Sequence, residues 1–288
     1  MTKAIKIEKL IVHAGIFHAD DALCAAMARV LNPDAVIVRS FRVPEDYDDQ
    51  TAETTGIYAA DIGGGRFDHH QPDARRRESG EKFAACGLLY DLWQDALFQT
   101  PVARSRFLRD FILPVELQDN NGKGKGFGTP LSVMIKNLNP LWDEAQDFDR
   151  AFFKAVGLFE ALIKREQARE ASALRAKDAV AKALTESEDG VVVLPQSMPW
   201  QAVLIEPDTP ALFCVYPSSR GGWNLQTVAV SPEERTPRRE IPEDWLAHRP
   251  EGCTFVHAGR FLASFVSKDA AVKAATALCR ADEDDLKL

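Results

Sequence analysis

The sequence has little of three features that would place it in a specialised class of protein. Its five cysteines are odd in number, scattered and without Cys-x-x-Cys spacing, which excludes a disulfide framework and a cysteine zinc site. It contains no run of the roughly 20 apolar residues that a membrane span needs. Acidic residues (43) outnumber Lys and Arg (35), for a formal charge of −8, so we expect no extended surface for duplex nucleic acid.

What remains is the composition of an ordinary globular protein, with 45% hydrophobic and 27% charged residues. At 288 residues the chain is long enough for two domains. The first residues, Met-Thr-Lys-Ala-Ile-Lys, lead into a predicted strand and do not resemble a secretory signal. Together with the unpaired cysteines this predicts a cytoplasmic protein and no membrane association.

The order of apolar patterns predicts an α/β fold. In the first part, strands at 9–14, 35–41 and 56–61 alternate with helices at 20–31 and 83–97, an order that favours a mainly parallel sheet flanked by helices. A long helical pattern over 143–186 is interpreted as a connector. We therefore predict a metal-binding catalytic domain over 1–186, connector included, and a smaller α/β substrate-binding domain over 187–288. Strands are expected at 191–194, 201–205, 211–216, 224–230 and 254–256, and a helix at 269–280.

Four of the six histidines lie in two short clusters that also contain aspartates. The two clusters are His13, His18, Asp20 and Asp21, and Asp61, Asp68, His69 and His70. Mixed imidazole and carboxylate ligands suit hard or borderline divalent metals. Because both clusters follow predicted parallel strands, their side chains are expected to meet at the carboxyl edge of the sheet.

Each residue of the clusters has an expected role. A turn at Gly15 would return His18 and Asp20 towards His13, and Asp61 could bridge two ions. Two ions about 3.5–4 Å apart form the site that activates water for phosphoryl displacement. His69 is expected to be a further ligand, Asp68 to orient an imidazole, and His70 to contact substrate. For Asp21, capping of the helix is a sufficient explanation, with a catalytic duty as the alternative.

The two clusters carry a family resemblance. The stretches His13-Ala-Gly-Ile-Phe-His18-Ala-Asp20-Asp21 and Asp61-Ile-Gly-Gly-Gly-Arg-Phe-Asp68-His69-His70-Gln71 resemble the MYG (melanocyte proliferating gene) family of metal-dependent hydrolases and exonucleases, within the DHH phosphoesterase superfamily. Weaker similar stretches, such as Asp119-Asn120 and Phe255-Val-His257-Ala-Gly-Arg260-Phe261, extend the resemblance over nearly the whole chain.

The resemblance implies a DHH-type amino-terminal domain, a carboxy-terminal substrate domain and two divalent ions in a cleft between them, Mn²⁺ first and Mg²⁺ as the alternative. By motif position it implies one ion on His13, His18 and Asp61, and a second on Asp20, Asp61, His69 and Asp119. His70 would contact the scissile phosphate, with Asp61 and Asp68 completing the catalytic group. The sequence departs from the wider superfamily at His18, where an aspartate is usual.

The second domain is expected to contribute substrate contacts. Arg220 precedes two glycines that permit close backbone approach, and His257 and Arg260 flank Gly259 after a strand. For both arginines, surface solvation is the alternative.

The sequence therefore predicts a metal-dependent phosphoesterase that hydrolyses a phosphodiester with two metal ions, and the resemblance implies that it is a 3′-5′ exonuclease of RNA. The alternatives are a small-molecule phosphohydrolase acting on pyrophosphate or a nucleotide, and a catalytically silent nucleotide- or metal-sensing module. Expected partners are a phosphorylated small molecule or short RNA, with a homodimer as a further expectation.

Overall fold

The computed structural model describes residues 5–121, 130–231 and 234–281. The chain forms two compact units, Met1–Glu170 and Ala171–Leu288. The predicted α/β class is confirmed, since each unit contains a sheet with helices. The division lies inside a long helix, and the functional boundary predicted after residue 186 stays a prediction.

The first unit contains a three-stranded parallel sheet, as the alternating pattern predicted. Its strands are β1 (Lys9–His13), β2 (Val36–Ser40) and β3 (Ile57–Ala59), in the order β2-β1-β3. Helix α1 (Ala19–Leu31) connects β1 to β2 and is buried from Ala19 to Ala28, where small alanines allow close packing. The central strand β1 ends at His13, so its carboxyl end carries the first candidate ligand.

Several further helices complete the first unit. They are α2 (Ala52–Thr55), α3 (Ala85–Leu97), α4 (Pro101–Phe107), α5 (Leu113–Asn121) and α6 (Pro130–Lys136), with a 3₁₀ turn at Asp49–Thr51 and a π-helical segment at Leu108–Ile112. The sequence reasoning did not predict α4 to α6. The sequence nevertheless contains a start signal for α4. Thr100 is the N-cap residue, and its hydroxyl oxygen accepts from the Ala103 N–H. Pro101 follows as the first residue of the helix.

The long helix α7 (Phe148–Thr185) confirms the helical pattern predicted over 143–186. Its first part buries Phe152, Val156 and Phe159 in the core of the first unit, and Val180 near its end belongs to a core of the second unit. Among the helices of the described residues, none has the length and apolar character needed to cross a membrane.

The second unit contains a mixed five-stranded sheet in the order β4-β5-β6-β8-β7. Its strands are β4 (Val191–Val193), β5 (Phe213–Pro217), β6 (Trp223–Thr227), β7 (Cys253–Val256) and β8 (Leu262–Phe265), of which only the β4–β5 pair is parallel. The short helices are α8 (Gln201–Leu204) and a 3₁₀ turn at Glu243–Leu246, and the unit ends with α9 (Lys268–Arg280). The closing helix was predicted, whereas β8 was not.

One predicted strand is wrong. The apolar run at 201–205 forms a helical turn, α8, not a strand. Trp200 and Leu204 are both buried in the same core, and their spacing of four residues brings side chains together only on a helix. A short apolar run does not by itself distinguish a buried strand from a buried helix, which is why the pattern misled.

Candidate metal centre

The sheet brings the two histidine clusters together. Strand β1 ends at His13, and its neighbour β3 runs parallel to it, with Ile11 opposite Ala59. Asp61 follows β3 by two residues and has a left-handed backbone conformation (φ 60°). A non-glycine residue rarely adopts this conformation, although aspartate tolerates it better than most. The strained turn directs the Asp61 carboxylate to the end of β1.

Asp61 lies between one imidazole of each cluster, those of His13 and His69. Its Oδ2 is 3.2 Å from His13 Nε2, and its Oδ1 is 3.2 Å from His69 Nε2. Burial raises the pKa of this carboxyl group, but the hydrogen bonds to His13 and His69 outweigh burial and bring its pKa to about 2. The group is therefore a carboxylate at neutral pH that presents one oxygen to each cluster.

His13 presents its Nε2 atom to acidic oxygens. Its Nδ1 lies 3.2 Å from the Ala14 carbonyl oxygen, which fixes the ring so that Nε2 faces Asp61 and, at 3.2 Å, Asp21 Oδ2. Burial lowers the pKa of His13, yet the bond to Asp61 and the charges of Asp21 and Asp61 raise it to about 9. The ligand atoms of His13, His18 and Asp61 lie within 4.8 Å of one another.

The second cluster is centred on His69, which is buried. Its Nε2 is 3.1 Å from Asp119 Oδ2 and 3.8 Å from Asp20 Oδ2, in addition to Asp61. Burial lowers the pKa of His69, while the bonds to Asp119 and Asp61 raise it to about 11. Asp119 lies on α5, about 50 positions along the chain from the histidine pair, and only the resemblance had indicated it.

Asn120 determines which way the His69 ring faces. His69 Nδ1 donates to Asn120 Oδ1 at 3.1 Å, and Asn120 Nδ2 donates to the Lys82 carbonyl oxygen at 2.8 Å. The Lys82 ammonium in turn donates to the His69 carbonyl oxygen at 3.0 Å. Such a partner on the second ring nitrogen is typical of metal-binding histidines. In the sequence Asn120 follows Asp119 in the family-like motif, but no local pattern indicates its role.

Asp20 is fully buried and holds the start of α3 in addition to facing His69. Its oxygens accept hydrogen bonds from the backbone N–H groups of Ala85 (3.0 Å) and Cys86 (2.7 Å), which begin α3. It thereby satisfies a helix start whose own cap residue, Ala84, offers no side-chain bond. Burial, and the nearby charges of Asp61 and Asp119, raise the pKa of Asp20.

Asp68 and His70 form a pair at the edge of the centre. Asp68 Oδ1 lies 2.7 Å from His70 Nδ1, and Asp68 Oδ2 accepts from the backbone N–H of Gly64 at 2.7 Å. Burial raises the pKa of Asp68, but these bonds lower it below its ordinary value. The His70 side chain is 65% exposed, so its ring is oriented by Asp68 and open to solvent.

The loop between β1 and α1 is held by residues far along the chain. Asn139 accepts from the backbone N–H of Phe17 at 3.0 Å and donates to its carbonyl oxygen at 2.9 Å. The buried guanidinium of Arg39 donates to the Gly15 carbonyl oxygen at 2.6 Å. These contacts fix the segment that carries His18, and no local signal in the sequence indicated them.

The donor set fits divalent metal ions. Three overlapping groups share residues: His13, His18 and Asp61; Asp61, His69 and His70; and Asp20, His69 and Asp119. Imidazole nitrogens suit borderline divalent ions and carboxylate oxygens suit harder ones, so the mixed set fits a divalent ion. A cation here would also offset the repulsion between the buried carboxylates of Asp20 and Asp61. The described residues therefore form a candidate metal centre.

The substrate contacts predicted in the second unit lie on its loops. Arg220 is exposed in the turn before β6, where its backbone N–H donates to Ser218 Oγ at 3.2 Å. Arg260 pairs with Glu240 at 2.7 Å, and the His257 ring lies 4.2 Å from that of Phe261. The two arginines thus differ, because Arg260 already has an anionic partner. Their role towards substrate stays a prediction.

Fold and site define an α/β protein with a candidate centre for divalent metals. The chain belongs to the MYG1 family, as the sequence resemblance predicted: the model of the family described as MYG1_exonuc, Uncharacterised protein family (UPF0160), matches residues 9–278.

Relatives extend over most of the chain. The MYG1 exonuclease of Homo sapiens is 28% identical over 318 residues, covering 92% of this chain and 84% of the human protein. The MYG1 protein of Saccharomyces cerevisiae is 27% identical, covering 91% of this chain and 93% of the yeast protein. The MYG1 protein of Dictyostelium discoideum is 26% identical, covering 90% and 93%.

Among solved structures, RecJ in complex with Mn²⁺ from Thermus thermophilus is 12% identical, with a TM-score of 0.29. The match covers 94% of this chain, which spans about half (51%) of the RecJ chain.

Proposed function

We propose that this protein is a metal-dependent phosphoesterase that hydrolyses the phosphodiester bonds of short RNA from the 3′ end, with two divalent ions, Mn²⁺ first. The observation that carries the proposal is the position of Asp61. One of its oxygens lies 3.2 Å from His13 Nε2 and the other 3.2 Å from His69 Nε2. A carboxylate whose two oxygens face different imidazoles can bridge the two ions of such a site. The exonuclease activity named for the human relative supports the reaction type.

The proposal assigns some residues to the metal ions and others to the substrate. His13, His18 and Asp61 would hold one ion, and the second would be held by Asp20, Asp61, His69 and Asp119. When bound, the ions would supply a more acidic water and neutralise charge on the phosphoryl oxygens. The ring nitrogens of His13 and His69 are kept in place by the Ala14 carbonyl and by Asn120.

His70 is proposed to contact the scissile phosphate. Because its Nδ1 faces Asp68 at 2.7 Å, its Nε2 points away from Asp68. The exposed ring can therefore bring Nε2 to a non-bridging phosphate oxygen while Nδ1 stays on Asp68. Placing that donor in a fixed orientation stabilises charge that develops on the phosphate. Asp68 acts here through His70, as a positioning residue.

The second candidate is a small-molecule phosphohydrolase, favoured by the net charge of −8, which does not attract a long polyanion. A third, a silent metal or nucleotide sensor, requires the same centre without turnover. We also propose that the protein works in a reducing compartment such as the cytoplasm, since all five cysteines are free and three of them are buried.

The test compares hydrolysis of short RNA, dinucleotides and pyrophosphate by the full chain with Mn²⁺ and with EDTA. Substrates blocked at the 3′ or the 5′ end report direction. Asp61→Asn is expected to lower the rate about 1000-fold, because metal stabilisation of the transition state is worth several kcal/mol. The exposed Asp46→Asn is the matched control and should keep full activity.

Mn²⁺ binding, followed by electron paramagnetic resonance, separates the alternatives. Loss of both binding and hydrolysis in Asp61→Asn supports the proposal. Stoichiometric Mn²⁺ binding without hydrolysis of any substrate identifies a sensor. Equal rates in Mn²⁺ and EDTA, or an unchanged rate in Asp61→Asn, refute the phosphoesterase.

A further inference from the structure

A cavity of about 560 Å³ opens in the first unit beside the metal centre. Three cationic side chains line it, Arg76, Lys82 and Arg109. Three apolar residues form another part of its wall, Leu113, Pro114 and Leu117. We propose that this cavity binds a nucleoside monophosphate unit, with the phosphate on the cations and the base on the apolar wall. The inference rests on the proposed function, for which it supplies a nucleotide subsite.

The cations have charge available for an anion. Arg76 donates to the Gly80 carbonyl oxygen at 2.9 Å and Lys82 to that of His69 at 3.0 Å, and neither acceptor carries a charge. Arg109 is different, because it pairs with its neighbour Asp110 at 2.7 Å. Arg76 and Lys82 are therefore the residues proposed to meet the phosphate.

Two carboxylates also line the cavity, and their surroundings limit how strongly they repel a bound phosphate. Glu116 is bound to Arg77, with 2.8 Å between its Oε2 and the Arg77 Nε. Glu81 is exposed and accepts from Ser79 Oγ at 3.1 Å. Glu116 is thus neutralised locally, while the solvent around Glu81 screens its charge.

The apolar wall suits a ring better than a bare anion. On α5, Leu117 lies four residues after Leu113 and three after Pro114, and these spacings place both beside Leu117 on one side of the helix. Leu117 is 54% exposed, so a ring packed against it would remove apolar surface from water. Pockets for small ligands measure about 300–1,000 Å³, and this cavity lies within that range.

The cavity shares a residue with the metal centre. Asn120 lines it and also accepts the hydrogen bond from His69 Nδ1. A nucleotide bound there would be one side chain away from a metal ligand, as expected for the nucleotide beside a scissile phosphate. Arg109 lies in the π-helical segment Leu108–Ile112, and such segments are frequent at functional sites.

The experiment measures binding of AMP, adenosine and inorganic phosphate to the full chain in EDTA by calorimetry, so that metal-bound phosphate does not contribute. We expect saturable AMP binding, about tenfold weaker for adenosine and for phosphate, because each retains one half of the contacts. Arg76→Gln and Leu117→Asp should each weaken AMP binding about tenfold. Both residues are exposed, so the fold should tolerate the changes.

Arg165→Gln, an exposed arginine of the same unit on α7, is the matched control and should bind AMP as the wild type does. The inference is overturned if AMP does not saturate, if phosphate binds as tightly as AMP, or if both cavity variants match the control. Hydrolysis measured in parallel keeps the two proposals apart. Mn²⁺-dependent hydrolysis without AMP binding removes only the subsite, whereas AMP binding without hydrolysis removes the phosphoesterase.

Discussion

Gly87→Ala should destabilise the first unit, although the same substitution usually stabilises a helix. Gly87 lies in the first turn of α3, and a Cβ there would be 1.6 Å from Glu116 Oε1 and 2.6 Å from its Cδ. Glu116 cannot move freely, because its buried carboxylate accepts from Arg77 Nε at 2.8 Å and from the Ala84 N–H at 3.1 Å.

The size of the effect follows from the bonds that the methyl group would break. Displacing one partner of a buried ion pair costs about 3–5 kcal/mol. The Arg77 side chain is 17% exposed, so water recovers part of that loss. Alanine is favoured over glycine in a helix by about 1 kcal/mol, which offsets a further part. The expected net loss is about 2–3 kcal/mol.

Urea unfolding of the full chain measures the change, and native-state hydrogen exchange in α3 assigns it to the first unit. The matched control is Gly157→Ala on α7, where a Cβ would meet nothing within 4 Å. That variant should be about 0.5–1 kcal/mol more stable than the wild type. A Gly87→Ala protein as stable as Gly157→Ala would show that Glu116 does not brace α3 against α5, and the reasoning would fail.

Two further predictions concern the metal ligands. Asn120→Ala should weaken Mn²⁺ binding about 10–100-fold, because His69 loses the partner that orients its ring. The control Asn121→Ala, at an exposed position of α5, should leave the affinity unchanged. Equal affinities of the two variants would show that Asn120 does not support the centre. Mn²⁺ binding at pH 7 should release protons and become tighter as the pH rises. Burial lowers the pKa of His13 and of His69, but the neighbouring carboxylates raise these pKa values to about 9 and about 11. Both rings must lose a proton to bind a metal ion, because a histidine ligand is neutral. Calorimetry in two buffers of different ionisation enthalpy measures the release, and identical enthalpies would contradict it.

The sequence was informative where local pattern determines position. Strand periodicity predicted His13 near the end of one strand and Asp61 at the end of another. In the structure β1 ends at His13, Asp61 follows β3 by two residues, and parallel pairing brings the two together. Motif spacing alone could not supply Asp119, because it lies on a helix that the apolar pattern did not predict. The resemblance supplied it instead, and the structure places its carboxylate 3.1 Å from His69 Nε2.

Tertiary packing decided what the pattern could not. The apolar pattern predicted α3 over 83–97, but not what satisfies its first N–H groups. The cap residue Ala84 offers no side-chain bond, and Asp20, 65 residues earlier in the chain, accepts from Ala85 instead. Asn139 likewise holds Phe17 from 122 residues away. Such contacts depend on how helices pack around the sheet, so a window of sequence contains no trace of them.

The position of Asp21 bears on His18, the residue at which the sequence departs from the superfamily pattern that it resembles. Because residue 18 is a histidine, the group of His13, His18 and Asp61 contains only one carboxylate. That carboxylate, of Asp61, also faces His69. Capping explains only one oxygen of Asp21, since Oδ1 accepts from the backbone of His18 and Ala22. Its Oδ2 is buried, 3.2 Å from His13 Nε2, without a directed hydrogen bond within the described residues. Residue 21 therefore places a carboxyl group beside the same imidazole, on the first turn of the same helix, and burial raises its pKa to about 7.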